Sequence, residues 1–133
     1  MHMRTMLKSK IHRARVTGCN ISYEGSISID KSLLKAADVV PFEKVDVLNI
    51  NNGARFSTYA IESNADSGEI CVNGAAARLA ARGDIIIILT YHEIGEEKMQ
   101  DYQPRMVYVD AENKITHTKG AVEEALNILR NKR

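Results

Sequence analysis

Met6-Leu7-Lys8-Ser9-Lys10-Ile11-His12-Arg13-Ala14-Arg15-Val16 decides the fold class. Apolar and polar residues alternate with a period of two, the signature of a strand rather than of a 3.6-residue helix. On one strand face lie Lys8, Lys10, His12, Ala14 and Val16; on the other lie Leu7, Ser9, Ile11, Arg13 and Arg15. Lys10 and His12 therefore point the same way if the stretch is extended.

The same reading extends along the chain. Asn20 to Gly25 is a turn into a short strand at Ser26 to Ile29, and Asp30 is placed to cap a helix over Lys31 to Ala37. Pro41 closes that element. Val45 to Ile50 and Arg55 to Ile61 are strands joined through Asn51-Asn52-Gly53, whose residues tolerate positive φ. Arg55, Ser57, Tyr59 and Ile61 share one face of the second strand, with Thr58 opposite. Glu69 to Val72 is a strand, Ala75 to Ala81 a short helix of small residues, and Gly83-Asp84 a turn. Ile85 to Tyr91 is a central apolar strand, and Met106 to Val109 another. Val122, Leu126 and Leu129 recur at helical spacing within Gly120 to Arg133, predicting an amphipathic C-terminal helix with a basic end. Six or seven short strands with two or three short helices predict a mainly β domain, a small barrel or sandwich.

Composition bounds the function. At 133 residues the chain is one domain, 1–133. Its formal net charge of +1 gives no electrostatic case for nucleic acid or an anionic membrane as a partner. The longest apolar run, Ile85 to Leu89, falls far short of the roughly 20 residues that span a bilayer, and no secretory signal precedes it. Cys19 and Cys71 are far apart in sequence with no ligand cluster nearby. They read as reduced, partly buried thiols of a cytoplasmic protein, and no metal site is predicted.

Taken singly, Gly25-Ser26 and Asn73-Gly74-Ala75-Ala76-Ala77 are ordinary loop and turn sequences. Together with Lys8-Ser9-Lys10-Ile11-His12-Arg13-Ala14, Tyr23-Glu24-Gly25-Ser26-Ile27-Ser28-Ile29-Asp30 and Asn51-Asn52-Gly53-Ala54-Arg55-Phe56-Ser57-Thr58-Tyr59, they form an ordered set. This set resembles the pyruvoyl-dependent aspartate 1-decarboxylase family over roughly residues 4 to 110. Gly83-Asp84 before the apolar strand also fits. The segment from 120 to 133 varies in that family.

The resemblance implies a double-psi β-barrel with a few short helices. It also implies a homotetramer with sites between subunits, and a self-made cofactor. Such a protein is a zymogen that cuts itself between residues 25 and 26. Ser26 Oγ attacks the Gly25 carbonyl in an N-to-O acyl shift, which glycine's freedom permits, and Thr58 assists the oxyanion. Elimination and hydrolysis then turn Ser26 into a pyruvoyl group. As a lyase the mature protein condenses that ketone with L-aspartate as a Schiff base, loses CO2 and yields β-alanine, with the electron-sink logic of carbonyl cofactors. β-Alanine supplies pantothenate and coenzyme A biosynthesis.

By the same resemblance Arg55 grips a substrate carboxylate with a two-pronged guanidinium, and Lys10 supplies the second cationic contact. Tyr59 donates a proton to Cα. Asn73, Gly74, Ala75 and Ala76 line the pocket, and His12 is a wall or orienting residue. Some members need a maturation factor. Three readings compete: the aspartate enzyme, a pyruvoyl enzyme for glutamate or another acidic amino acid, and an unprocessed, non-catalytic barrel or binding module. Leu48, where some members have an aromatic residue, bears on the shape of the pocket.

Overall fold

The computed structural model describes residues 2–120. The C-terminal helix expected over Gly120 to Arg133 thus lies, beyond its first residue, outside the described residues. Nine strands form: β1 (Met3–Arg15), β2 (Gly18–Asn20), β3 (Ile27–Asp30), β4 (Lys44–Asn49), β5 (Arg55–Ser63), β6 (Ile70–Asn73), β7 (Ile85–Gly95), β8 (Arg105–Val109) and β9 (Ile115–Lys119). Among the described residues they are joined by one α-helix, α1 (Lys31–Ala37), and two 3-10 turns, Gly74–Arg78 and Glu96–Lys98. The chain is mainly β, as its periodicity predicts, and its architecture fits the small double-psi β-barrel.

The strand order is β2-β6-β3-β5-β4-β7-β1-β8-β9. The ladder does not close on itself, yet its distant members are tied by the chain. Only Val16 and Thr17 separate β1 from β2, although five strands lie between them in the order. Two residues span little more than two Cα steps of 3.80 Å, so the sheet must curl to bring these strands together. Hydrogen bonds stitch that seam: Thr17 N donates to the Ile70 carbonyl (2.8 Å) and Val16 N to that of Asp84 (2.9 Å). Inside the curl, Ile11, Ile27, Ile29, Leu33, Ile70 and Ile86 are each no more than 1% exposed. Branched side chains of this kind suit a pleated, doubly covered surface.

Residue chemistry sets the ends of α1. Asp30 Oδ1 accepts from Ser32 N (2.8 Å) and from Asp66 N (2.9 Å), while Oδ2 accepts from Gly68 N (2.9 Å). One buried carboxylate thus caps the helix and also anchors the loop before β6. Asp38 ends the helix in the left-handed region at φ 56°.

Three local expectations require correction. The alternation in β1 does not keep one face inward: Ser9 and Ile11 are buried, and so are Ala14 and Val16. Arg13 adopts φ 63°, and the register with β7 shifts between Ile11 and Ala14. This bulge adds one residue and swaps the faces. The helix expected over Ala75 to Ala81 is instead the shorter 3-10 turn Gly74–Arg78. Cys19 is exposed rather than partly buried, while Cys71 is half-buried; both thiols are free.

Candidate functional site

The site begins with the antiparallel register of β3 and β6, in which Ile27 faces Val72 and Ser28 faces Cys71. Asn73 N donates to the Ser26 carbonyl at 3.0 Å, continuing that pairing by one step. Alternation then sets Ser26 and Ser28 on one side of β3, against Cys71 and Asn73 of β6. The Asn73 amide is 4% exposed; its Nδ2 donates to Ser26 Oγ (3.2 Å) and to Ser28 Oγ (3.1 Å). The Cys71 thiol donates to Asn73 Oδ1 at 3.3 Å.

The peptide joining residues 25 and 26 is held in an unusual conformation. Gly25 has φ 97° and Ser26 has φ 84°. A left-handed φ is free for glycine, but for serine it costs on the order of 1–3 kcal/mol. Ser26 is only 1% exposed, so its hydroxyl is confined among protein groups. Gly74 presses against this junction: a Cβ at 74 would lie 2.5 Å from Gly25 N and 2.6 Å from Gly25 Cα. Glycine at 74 is thus needed for the close approach, and its own φ of 67° excludes most side chains independently. Ala75 is exposed and Ala76 half-buried on the turn that follows.

β5 runs parallel to β3 with Ile27 level with Ala60. Thr58 and Tyr59 immediately precede Ala60 on β5, as Gly25 and Ser26 precede Ile27 on β3. They point to opposite sides, as alternation requires. Thr58 is half-buried on the side of the buried Ala60, whereas Tyr59 is 37% exposed, its ring centroid 6.1 Å from that of Phe42.

A second group gathers on the outer face. Cross-strand partners run Ser57–Asp46–Leu89–Lys10 over β5, β4, β7 and β1. Because paired residues point the same way, Lys10 shares this face with Arg55 and Tyr59. A cleft of about 190 Å³ opens here, lined by Asp46, Leu48, Arg55, Phe56, Leu89 and Tyr91. Leu48 faces Arg55 directly. Asp46 is engaged by Ser57 Oγ at 2.5 Å. Among the described residues Arg55 forms no ion pair, so its guanidinium is available to an anionic ligand. The cleft does not include Ser26: the chain assembles the junction group and the outer-face group separately.

His12 lies farther along β1, opposite Tyr108, with the two ring centroids 5.6 Å apart edge to face. Its Nδ1 is buried without a hydrogen-bond partner. Burial first, then the charges of Lys10 and Arg13, push its pKa below the ordinary value. Both thiols are pushed up, chiefly by desolvation of the sulfur and next by Asp84 at Cys19 and Glu69 at Cys71. Among the described residues no three His, Cys, Asp or Glu side chains converge as a metal would need, and no helix is long and apolar enough to cross a membrane.

Ser28 and Cys71 complete the junction group, and the motifs alone do not single them out. Their signal is the period of two: each sits two residues from a chosen site residue, on the same strand face. The buried Ser26, the Asn73 amide on its oxygen and the cradle at Gly74 leave room that fits a small, planar, hydrogen-bonded carbonyl group at residue 26. Fold and site together define a small double-psi β-barrel built around a buried, backbone-strained glycine–serine junction.

Comparison with known proteins specifies the class further. The family model described as "Aspartate decarboxylase" matches residues 1–116. The aspartate 1-decarboxylase of Thermoanaerobacter pseudethanolicus is 60% identical over 111 residues, covering 84% of this chain and 95% of that protein. Those of Dehalococcoides mccartyi (58% identity, 88% of this chain and 94% of the relative) and a Hydrogenobaculum species (56%, 90% and 94%) are similar over nearly their full lengths. The chain belongs to the aspartate decarboxylase family.

Proposed function

We propose that this protein is a pyruvoyl-dependent carboxy-lyase. It converts L-aspartate to β-alanine and CO2 for pantothenate and coenzyme A biosynthesis, after cutting itself between Gly25 and Ser26. The observation that carries the reading is the junction itself: a serine buried at φ 84°, next to a glycine at φ 97°, in a chain of this family.

In self-cleavage Ser26 Oγ adds to the Gly25 carbonyl carbon. The Gly25 C–Ser26 N bond breaks, the hydroxyl proton passes to the Ser26 nitrogen, and an ester remains. Relief of the left-handed serine favours this step. Thr58, two residues before the Ala60 that pairs with Ile27, is the donor for the developing oxyanion. Elimination across the Ser26 Cα–Cβ bond then releases a 25-residue chain ending in the Gly25 carboxylate, and the dehydroalanine left on the 108-residue chain takes up water and loses ammonia to become the pyruvoyl group.

When formed, the pyruvoyl group supplies an electron sink for decarboxylation. The chain's own residues do the rest. Arg55 holds one substrate carboxylate in a two-pronged grip, and Lys10 on the same face provides the second positive charge. Tyr59 delivers a proton to Cα. Asn73, Gly74, Ala75 and Ala76 shape the pocket around residue 26, and His12 forms a wall. Leu48, paired with Arg55, lines the cleft that would receive the substrate, and the full motif set favours aspartate over longer acidic amino acids.

The assembly is a homotetramer with sites completed between neighbouring subunits, in the cytoplasm. Exposed Tyr91, Tyr59 and Phe42 (76% exposed), near Arg55 and Lys10, support an outer face that a second copy covers. A separate maturation factor that speeds the cut is compatible with a junction already poised for it.

Denaturing mass spectrometry of the purified protein tests the reading. A 25-residue fragment ending at Gly25, with a 108-residue partner whose N-terminal mass matches pyruvoyl, supports it. A chain that stays whole after prolonged warming and after addition of cell extract withdraws the catalytic proposal, leaving an unprocessed barrel.

A further inference from the structure

We propose that Cys71 is a positioning residue for self-cleavage, its thiol locking the Asn73 side-chain amide with the NH2 group toward Ser26. This inference rests on the self-cleavage reading above. A side-chain amide is nearly symmetric in shape, so its two orientations differ mainly in which neighbours accept and which donate. Here one end of Asn73 meets the Ser26 and Ser28 hydroxyls, at 3.2 and 3.1 Å, and the other meets the Cys71 sulfur, at 3.3 Å. Either hydroxyl can donate or accept and so tolerates both orientations. A thiol is a weak donor and a poorer acceptor, so it favours the carbonyl oxygen on its side and turns the NH2 toward Ser26. Burial and Glu69 keep Cys71 in its protonated, donating form.

Orientation matters because of how Ser26 Oγ changes. Before the acyl shift it is a hydroxyl oxygen; as its bond to the Gly25 carbonyl carbon forms and its proton leaves for the Ser26 nitrogen, it becomes an ester oxygen that can only accept. An Asn73 N–H aimed at it keeps a partner throughout. An Asn73 carbonyl aimed at it would bond the hydroxyl and then face bare lone pairs. The locked amide therefore follows the reaction forward, whereas the flipped one stabilises only the starting state. Ser28 holds the second N–H and reinforces the orientation.

The experiment is a time course of self-cleavage of the full chain by intact mass, with thermal unfolding of each variant. Cys71→Ser keeps a donor but adds a good acceptor, so its rate should lie between that of wild type and those of the donorless variants. Cys71→Ala and Cys71→Val remove the donor, and each should slow the cut about three- to tenfold, the worth of one modest hydrogen bond, without a matching loss of thermal stability. Donorless variants that cut as fast as a cleaving wild type overturn the inference and leave the proposed function standing. So does slowing that simply follows lost stability and that serine fails to rescue. A wild-type chain that never cleaves removes the proposed function and this inference together.

Discussion

The two faces flanking the start of β5 are built on opposite plans. Toward β3 and β6, Ser26, Ser28, Cys71 and Asn73 are buried or half-buried, and hydrogen bonds within one chain connect them. Toward solvent, Arg55 and Tyr59 are exposed beside an open cleft, and Arg55 has no ion-pair partner among the described residues. The inner group is complete when the chain folds and suits a reaction of the chain upon itself. The outer group is unsatisfied and suits a ligand that arrives later. Cutting and decarboxylation should therefore be separable by mutation.

The sharpest break in that comparison is Ser26→Ala, which removes the attacking oxygen: no 25-residue fragment should form, and β-alanine production should be undetectable. Next is Gly74→Ala. Its Cβ would collide with Gly25 backbone at 2.5 Å and strain a φ of 67°, so unfolding free energy should fall by about 2–4 kcal/mol and cleavage should slow with it, as denaturant unfolding and intact mass would reveal. The outer face should behave in the opposite way. Arg55→Ala should leave the cut at its wild-type rate and lower kcat/KM for aspartate about 100-fold, the scale of a lost charged hydrogen bond of roughly 3 kcal/mol. Slowed cleavage in that variant would erase the division between the faces.

The smallest expected effect concerns His12. Burial favours its neutral imidazole, so its native pKa lies below the unfolded value. As pH falls below about 6.5 the unfolded chain takes up this proton first. The contribution to stability is complete above that pH and is lost as pH falls through the lower native pKa. His12→Gln should flatten this part of the acid-side decline in denaturant midpoint; an unchanged slope would assign the decline to other groups.

Much of this was legible in the sequence where the signal was local. Asp30 capping Lys31–Ala37 follows from one residue type at one position, and the structure keeps those bounds. The β4–β5 hairpin follows from Asn51-Asn52-Gly53 between alternating strands. The face swap at Arg13 was not legible, because nothing in the alternation of β1 marks an inserted residue; the register with β7 creates it. β2 and β9 escaped notice for a similar reason. Three residues are too few to display a period, and Ile115–Lys119 carries a single large apolar side chain, so pairing with β6 and β8 defines them. In the site, family motifs supplied Gly25, Ser26, Arg55, Tyr59 and Asn73. Ser28 and Cys71 joined them only through the register of two strands distant in sequence.

β1 pairs along its length with β7 and, over Ser9–His12, also with β8, and β2 lies against β6, yet β1 and β2 both precede residue 26. A cut there separates two polypeptides that are already woven together. The small piece should stay as an integral part of the subunit, held by backbone ladders on both flanks. Before the cut, each subunit can be refolded from a single chain. Afterwards, recovery depends on two molecules meeting and rebuilding the weave, so refolding yield should fall with dilution. Maturation would thus make assembly a one-way passage: the fold must come first, and the processed protein keeps it largely because it has no easy way back.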